Sequence, residues 1–180
     1  MASKAENPWN TWRIVRWSVP AGLLTVPLIA HFPWTGSDYV VMGVLLFGSV
    51  GLYEAIAQAS RSLVYRAAAG VAVATSFLLV WINLAVGIIG NENNPLNLLY
   101  AGVIGVALVG AIVARFEAKG MSRALAATAL AQGVVGGIAA FGGPNDPPGS
   151  LGQIVLNGGF AALWLLSSGL FRKAARDQAS

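Results

Sequence analysis

The sequence predicts an all-α integral membrane protein, a bundle of six transmembrane helices with both termini in the cytoplasm. The first observation is composition: 56% of the 180 residues are hydrophobic and 10% are charged, against roughly 25% charged in soluble domains. The second is that the apolar residues form six stretches of about the 20 residues that a helix needs to cross a bilayer. These spans leave room for short links only, so we expect a single domain over residues 1–180.

The third observation is the distribution of charge. All eleven basic residues lie on alternate links between the apolar stretches: Lys4, Arg13, Arg16, Arg61, Arg66, Arg115, Lys119, Arg123, Arg172, Lys173 and Arg176. The remaining links carry single acidic residues, Asp38, Glu92 and Asp146. Because cytoplasmic links of membrane proteins are enriched in Lys and Arg, the basic side is predicted to be the cytoplasmic one.

The first two spans are predicted at about 14–34 and 38–59. Span one contains Pro20 and Pro27, and a proline inside a helix removes a backbone hydrogen bond. We therefore expect a kink or a break near both prolines, with the freed carbonyls satisfied by neighbouring helices.

The other four spans are predicted at about 65–90, 96–115, 122–141 and 151–171. Asn94 and Pro95 form a start signal for span four, because Asn caps free amides and Pro is favoured at the first helical position. The link between spans five and six is rich in Gly and Pro, which is typical of a turn.

Polar side chains inside the spans are the candidates for a functional site. Glu54 is the one acidic residue well inside a span, and an ionised group at the bilayer centre costs roughly 2.5–3.5 kcal/mol. Asn83, Gln132 and Asn157 each share a helix face with a second polar residue, which gives three more polar stripes. Such stripes either line a water-filled path or tie helices together through hydrogen bonds. Because Glu54 is the single ionisable residue in these stripes, the pattern favours hydrogen bonds that tie the helices together.

Small residues recur at the spacing of helix contacts. They are Ala101 and Gly105 in span four, and Ala129, Gly133 and Gly137 in span five. Small residues at this spacing let helix backbones approach closely in membranes. The pattern predicts tight helix packing, and the packed helix can belong to this chain or to a partner.

Several classes of function have no support in the sequence. There is no cysteine and a single histidine, so we expect no metal site, and no cofactor. We find no phosphate-binding glycine loop and no His-Glu-x-x-His motif, and the serines of the spans have no basic partner at a matching depth, so we do not expect an enzyme. The basic residues do not form one stripe, so nucleic acid is not an expected ligand.

The stretch from Val80 to Pro95, with Ala114-Arg115-Phe116 and Leu163-Trp164-Leu165-Leu166, resembles an uncharacterised family of small multi-spanning bacterial inner-membrane proteins. The similarity runs along most of the chain. It implies a location in the bacterial cytoplasmic membrane, but no activity, substrate or functional residue.

Two functions follow as expectations. The first is an accessory, assembly or scaffold subunit that packs through small-residue helix faces against a second copy or a partner membrane protein. The second is a small transporter or channel that uses Glu54 and the intramembrane amides. In both cases we expect the basic rim to contact anionic lipid headgroups.

Overall fold

The structure, a computed structural model, describes residues 11–141 and 148–179. Lys4, Asp146 and the side chain of Arg13 lie outside the described part, as does most of the link between spans five and six. The described residues contain six α-helices: α1 (Thr11–Ile29), α2 (Gly36–Ala57), α3 (Leu63–Ala85), α4 (Leu99–Val113), α5 (Ala118–Phe141) and α6 (Gly149–Asp177). A 3-10 turn at Pro95–Leu98 leads into α4.

Five of these helices are long and apolar enough to cross a membrane. They are α2, α3, α5, α6 and the continuous segment Pro95–Val113 that ends with α4. The apolar part of α1, Ile14–Ile29, is shorter. The chain is therefore a helical, multi-pass membrane protein by length and composition, while the sixth span and the orientation of the termini remain predictions.

The first compact unit, residues 1–52, contains α1 and most of α2. The ring of Trp17 stacks on that of Phe47 with centroids 6.2 Å apart. Of the expected kink or break, the structure shows no break: α1 continues as a helix through Pro20 and Pro27 and ends at Ile29, before the predicted end of span one at residue 34. The Asp38 carboxylate accepts a 2.6 Å hydrogen bond from the Thr35 backbone amide at the start of α2.

The second compact unit, residues 53–180, contains α3 to α6. In it α6 packs against both α5 and α3, and α4 packs against α5. The buried face of α6 carries Trp164, Ser167 and Phe171. The Ser167 hydroxyl donates a 2.7 Å hydrogen bond to the carbonyl of Ala68 in α3, and Phe171 meets the ring of Tyr65 edge-on at 4.9 Å.

Two glycines allow the closest helix contacts of this unit. A Cβ placed on Gly110 of α4 would lie 2.7 Å from the Cβ of Ala124 in α5. One placed on Gly136 of α5 would lie 2.6 Å from the Cβ of Asn157 in α6. Because real Cβ atoms do not approach so closely, both positions need glycine for α5 to reach its two neighbours.

The third predicted span is longer than the helix that the structure contains. It was expected to end at Gly90, but α3 ends at Ala85 and residues 86–94 form a non-helical bend. Gly87 and Gly90 both have φ near +70°, which ends a right-handed helix. The side chains of Ile88 and Ile89 remain buried in this bend, which explains why their apolar character resembled that of a helix.

The remaining boundaries differ by a few residues. Helix α5 begins at Ala118, four residues before the predicted span, and α6 continues to Asp177, beyond the predicted end at Phe171. The expected start of span four is confirmed: Asn94 caps the turn by accepting a 3.0 Å hydrogen bond from the Leu96 amide, and Pro95 is the first helical residue.

Candidate functional site

The candidate site is a network of buried amide side chains in the second unit, with Asn157 of α6 at its centre. The Oδ1 atom of Asn157 accepts hydrogen bonds from the Tyr100 hydroxyl at 3.0 Å and from Nε2 of Gln132 at 2.8 Å. Its Nδ2 atom donates to the backbone carbonyl and to Oε1 of Gln153, at 2.9 and 3.1 Å. One side chain thereby connects α4, α5 and α6.

The network continues from α6 into the bend after α3. Nε2 of Gln153 donates a 2.6 Å hydrogen bond to the carbonyl of Ile88. This carbonyl lies in the bend, where the pattern of helical backbone hydrogen bonds is interrupted. Gln153 therefore supplies the partner that a buried backbone carbonyl requires.

Asn97, in the 3-10 turn before α4, forms hydrogen bonds with the backbone of the bend. Its Oδ1 atom accepts from the amides of Ile88 and Ile89, at 3.1 and 2.9 Å. Its Nδ2 atom donates to the carbonyls of Ile89 and Asn91, at 3.3 and 2.7 Å. All four hydrogen-bonding positions of this amide are used, so a single side chain takes the place of several missing helical hydrogen bonds.

The network is buried and carries no formal charge. Gln132, Gln153 and Asn157 are 0%, 2% and 3% exposed, and the bonded groups are amides, one phenol and backbone. Within the described part of the chain, no hydrogen bond reaches three of the buried side-chain atoms near this network and the core of α6, namely Oδ1 of Asn83, Oε1 of Gln132 and Nε1 of Trp164. The first two are acceptors and the third is a donor.

The structure brings together some of the residues that the sequence singled out. Gln132 and Asn157 are directly hydrogen-bonded, and Asn83 is attached to the network through a 3.2 Å hydrogen bond from its Nδ2 atom to the carbonyl of Asn97. Glu54 is half-buried near the end of α2.

The predicted small-residue positions divide into two groups. Ala129 is buried within the second unit. Ala101 and Gly133 are exposed, and no described atom lies within 4 Å of a Cβ placed on Gly105, Gly133 or Gly137. The close contacts inside the chain are made by Gly110 and Gly136, which the sequence analysis did not single out.

Two members of the network, Asn97 and Tyr100, were also missed. Asn97 lies at the start of the predicted span four, between leucines at 96 and 98. That setting is a usable signal, because an amide flanked by apolar residues has to find buried partners. Tyr100 carried no such signal, since a tyrosine near a membrane interface is ordinary.

The arrangement can position backbone and helices, but it lacks the groups for proton transfer by a carboxylate or an imidazole. Among the described residues, no group of three or more His, Asp and Glu side chains is placed to hold a metal ion. Amide oxygens that accept no hydrogen bond, such as Oε1 of Gln132, are the atoms with remaining binding capacity.

At the opposite end of the second unit lies a rim of positive charge. Hydrogen bonds join the segments there: the Tyr65 hydroxyl donates to the carbonyl of Phe116 at 2.6 Å, and the Ser168 hydroxyl to that of Ser122 at 2.7 Å. These contacts gather eight exposed cations at one end, namely Arg61, Arg66, Arg115, Lys119, Arg123, Arg172, Lys173 and Arg176.

Comparison with known proteins adds no relative: no family model, no curated protein and no solved structure matches the chain.

Proposed function

We propose that this chain is an accessory, assembly or scaffold subunit of the bacterial inner membrane that has no catalytic site of its own. Its α5 helix presents a small-residue surface, formed by Gly133 and Gly137, to a membrane helix of a second copy or of a partner protein. Both termini lie in the cytoplasm in this proposal, and the basic rim contacts anionic headgroups.

The observation that carries the proposal is the open space in front of these two glycines. They are four residues apart and so lie on one face of α5, and no described atom lies within 4 Å of a Cβ at either position. Leu130 and Val134 on the same helix are 74% and 63% exposed. A surface of glycines flanked by exposed aliphatic side chains suits close helix packing in lipid.

The buried amide network supports the same proposal. Its members bond to one another and to the backbone, with Gln132 and Asn157 at the contact of α5 with α6. Such interhelical bonds contribute roughly 0.6–2 kcal/mol each. A network of this kind favours a fixed bundle that offers its outer faces to partners over a bundle that opens a path through its centre.

The test is the mass of the protein extracted in a mild detergent, measured by native mass spectrometry. We expect the mass of wild type to be that of an oligomer or of a complex with one membrane partner. The double variant Gly133→Leu/Gly137→Leu should lose the second copy or the partner. Gly169→Leu on α6, which also faces open space, is the matched control and should keep it. A wild-type protein that is strictly monomeric and alone would contradict the proposal.

A transporter or channel is the second candidate. The observation in its favour is the pair of acceptors without a partner, Oδ1 of Asn83 and Oε1 of Gln132, within membrane-crossing helices. In this candidate Glu54 is the coupling group. Wild type in liposomes would then carry protons, ions or small metabolites, and Glu54→Gln would abolish the flux without unfolding the protein. A wild-type flux no greater than that of empty liposomes would eliminate this candidate.

A further inference from the structure

A groove runs between α4 and α5 on the outside of the second unit. Its volume is about 510 Å³, within the 300–1,000 Å³ range of small-molecule sites. It is lined by Gly102, Gly105, Val106 and Val109 of α4, and by Ala124 and Ala127 of α5. The close approach of Gly110 to Ala124 forms its floor, and Gly102 and Gly105 leave the space above it open.

The lining offers no charge and no side-chain hydrogen bond to a ligand, so whatever fills the groove is apolar there. A hydrocarbon chain needs no polar partner. The lining therefore suits an acyl chain.

The end of the groove nearest the basic rim lies at the contact of Gly110 with Ala124 and is called its mouth here. Arg123 lies four residues before Ala127, so the two share a face of α5, and Lys119 lies one further turn towards the rim. Arg115 stands in the turn between α4 and α5, and all three cations are exposed. The single carboxylate of this turn is that of Glu117, also exposed. Three cations against one carboxylate make the mouth of the groove electropositive.

Two further features suit a phosphate at this mouth. The helix α5 begins at Ala118, and the N-terminus of a helix carries the positive end of its dipole. The side chain of a helical residue leans towards the helix N-terminus, so Arg123 leans towards the rim and away from the apolar groove. Basic pockets between membrane helices are known to bind anionic lipid headgroups.

We infer that the α4–α5 groove is a binding site for one anionic phospholipid. An acyl chain lies along Gly102 and Gly105, and the phosphate is held by Arg123 with Lys119 and Arg115. The site deepens the proposed contact of the basic rim with anionic headgroups. It is independent of the proposed helix-packing surface, because it uses the α4 side of α5 and leaves Gly133 and Gly137 uncovered.

The test compares lipid retention by native mass spectrometry, with the purified full-length protein exposed to phosphatidylglycerol or phosphatidylcholine of the same acyl chains. Wild type should retain one phosphatidylglycerol in preference to phosphatidylcholine. A cation near a membrane surface contributes about 1 kcal/mol to the binding of anionic lipid, so Arg123→Gln should reduce the preference about fivefold.

A second variant examines the acyl part of the site. Gly105→Leu has room for its side chain and fills the groove, so the retained lipid should be lost whatever its headgroup. Gly102→Leu has equal room and serves as the alternative if the first variant does not fold.

Two controls match the two variants. Arg176→Gln removes a cation of the same rim from α6, and Gly169→Leu adds the same bulk on α6 outside the groove, where a Cβ meets open space; both should retain lipid as wild type does. Equal losses with Arg123→Gln and Arg176→Gln would overturn the site in favour of general attraction to the rim. No preference for phosphatidylglycerol would overturn it as well. A change of oligomeric mass with Gly105→Leu would assign the groove to a protein helix.

Discussion

Asn97 shows how one side chain can replace a turn of helix inside a membrane protein. Buried backbone groups need partners, and water is not available to supply them in lipid. The bend after α3 leaves the amides of Ile88 and Ile89 without helical partners, and the Asn97 side chain bonds to both. Asparagine fits because its amide carries an acceptor and a donor group of the right size, whereas leucine at the same position would satisfy neither.

Replacing Asn97 by alanine should therefore destabilise the second unit strongly. Each buried amide left without a partner costs about 1–3 kcal/mol. The change removes the partner of two amides, those of Ile88 and Ile89. We expect the free energy of unfolding, measured by denaturant titration in detergent micelles, to fall by about 2–6 kcal/mol. Asn93→Ala is the matched control, because Asn93 is exposed in the same bend; its variant should lie within about 0.5 kcal/mol of wild type.

An unchanged unfolding free energy for Asn97→Ala would contradict this account. It would mean that the bend holds its conformation without the amide, and that the hydrogen bonds of Asn97 contribute little to stability.

At the scale of the helices, α5 makes the closest contacts with its neighbours. It approaches α4 at Gly110 and α6 at Gly136, in both cases to a distance that a Cβ would prevent. The contact at Gly136 is also the place where Gln132 bonds to Asn157. Packing and hydrogen bonding between α5 and α6 thus depend on the same small residue.

Gly136→Ala should separate α5 from α6 and weaken the bond between Gln132 and Asn157. The added Cβ would lie 2.6 Å from the Cβ of Asn157, and overpacking of this kind typically costs 1–3 kcal/mol. Gly137→Ala is the neighbouring control, since its Cβ meets open space and its unfolding free energy should change by about 0.5 kcal/mol or less. Thermal unfolding in detergent compares the two, and equal stabilities would refute the role given to Gly136.

The sequence predicts the helices well, because apolar stretches of membrane length are a strong signal. It fails at residues 86–90, where Ile88 and Ile89 continue the apolar pattern through a bend that Gly87 and Gly90 create. It also does not single out Gly110 and Gly136, the glycines that make the close helix contacts within the described part of the chain. Spacing identifies Gly133 and Gly137 as readily as Gly136, and which of them faces α6 depends on the rotation of α5, which periodicity does not determine.

For the site, the sequence identifies polar residues within the spans but not how they combine. Gln132 and Asn157 stand out as amides among apolar neighbours, and the structure joins them. Glu54 stands out more strongly as a charge, and it lies half-buried near the end of α2. Pairing depends on which helix faces meet, and this information lies in the packing of α3, α5 and α6 against one another.

At the scale of the whole molecule, the two ends of the second unit differ in charge. One end carries eight exposed Lys and Arg side chains, and the other carries the bend with Asn91, Glu92 and Asn93 exposed. In a bilayer the basic end is expected on the cytoplasmic side, because Lys and Arg are retained there during insertion. The same asymmetry places the mouth of the α4–α5 groove on the side where anionic headgroups attract cations.

The chain contains no cysteine, so this orientation can be tested with single introduced cysteines in intact bacterial cells. Asn93→Cys lies in the exposed bend and Ala179→Cys beyond the end of α6, and both positions are exposed. A maleimide that does not cross the inner membrane should label Asn93→Cys in cells with a permeable outer membrane, and Ala179→Cys only after the inner membrane is opened. Neither substitution removes a Lys or Arg, so the charge asymmetry that sets the orientation is preserved. Labelling of Ala179→Cys with the inner membrane intact would place the basic end outside, and would refute both the predicted orientation and the cytoplasmic position of the lipid site.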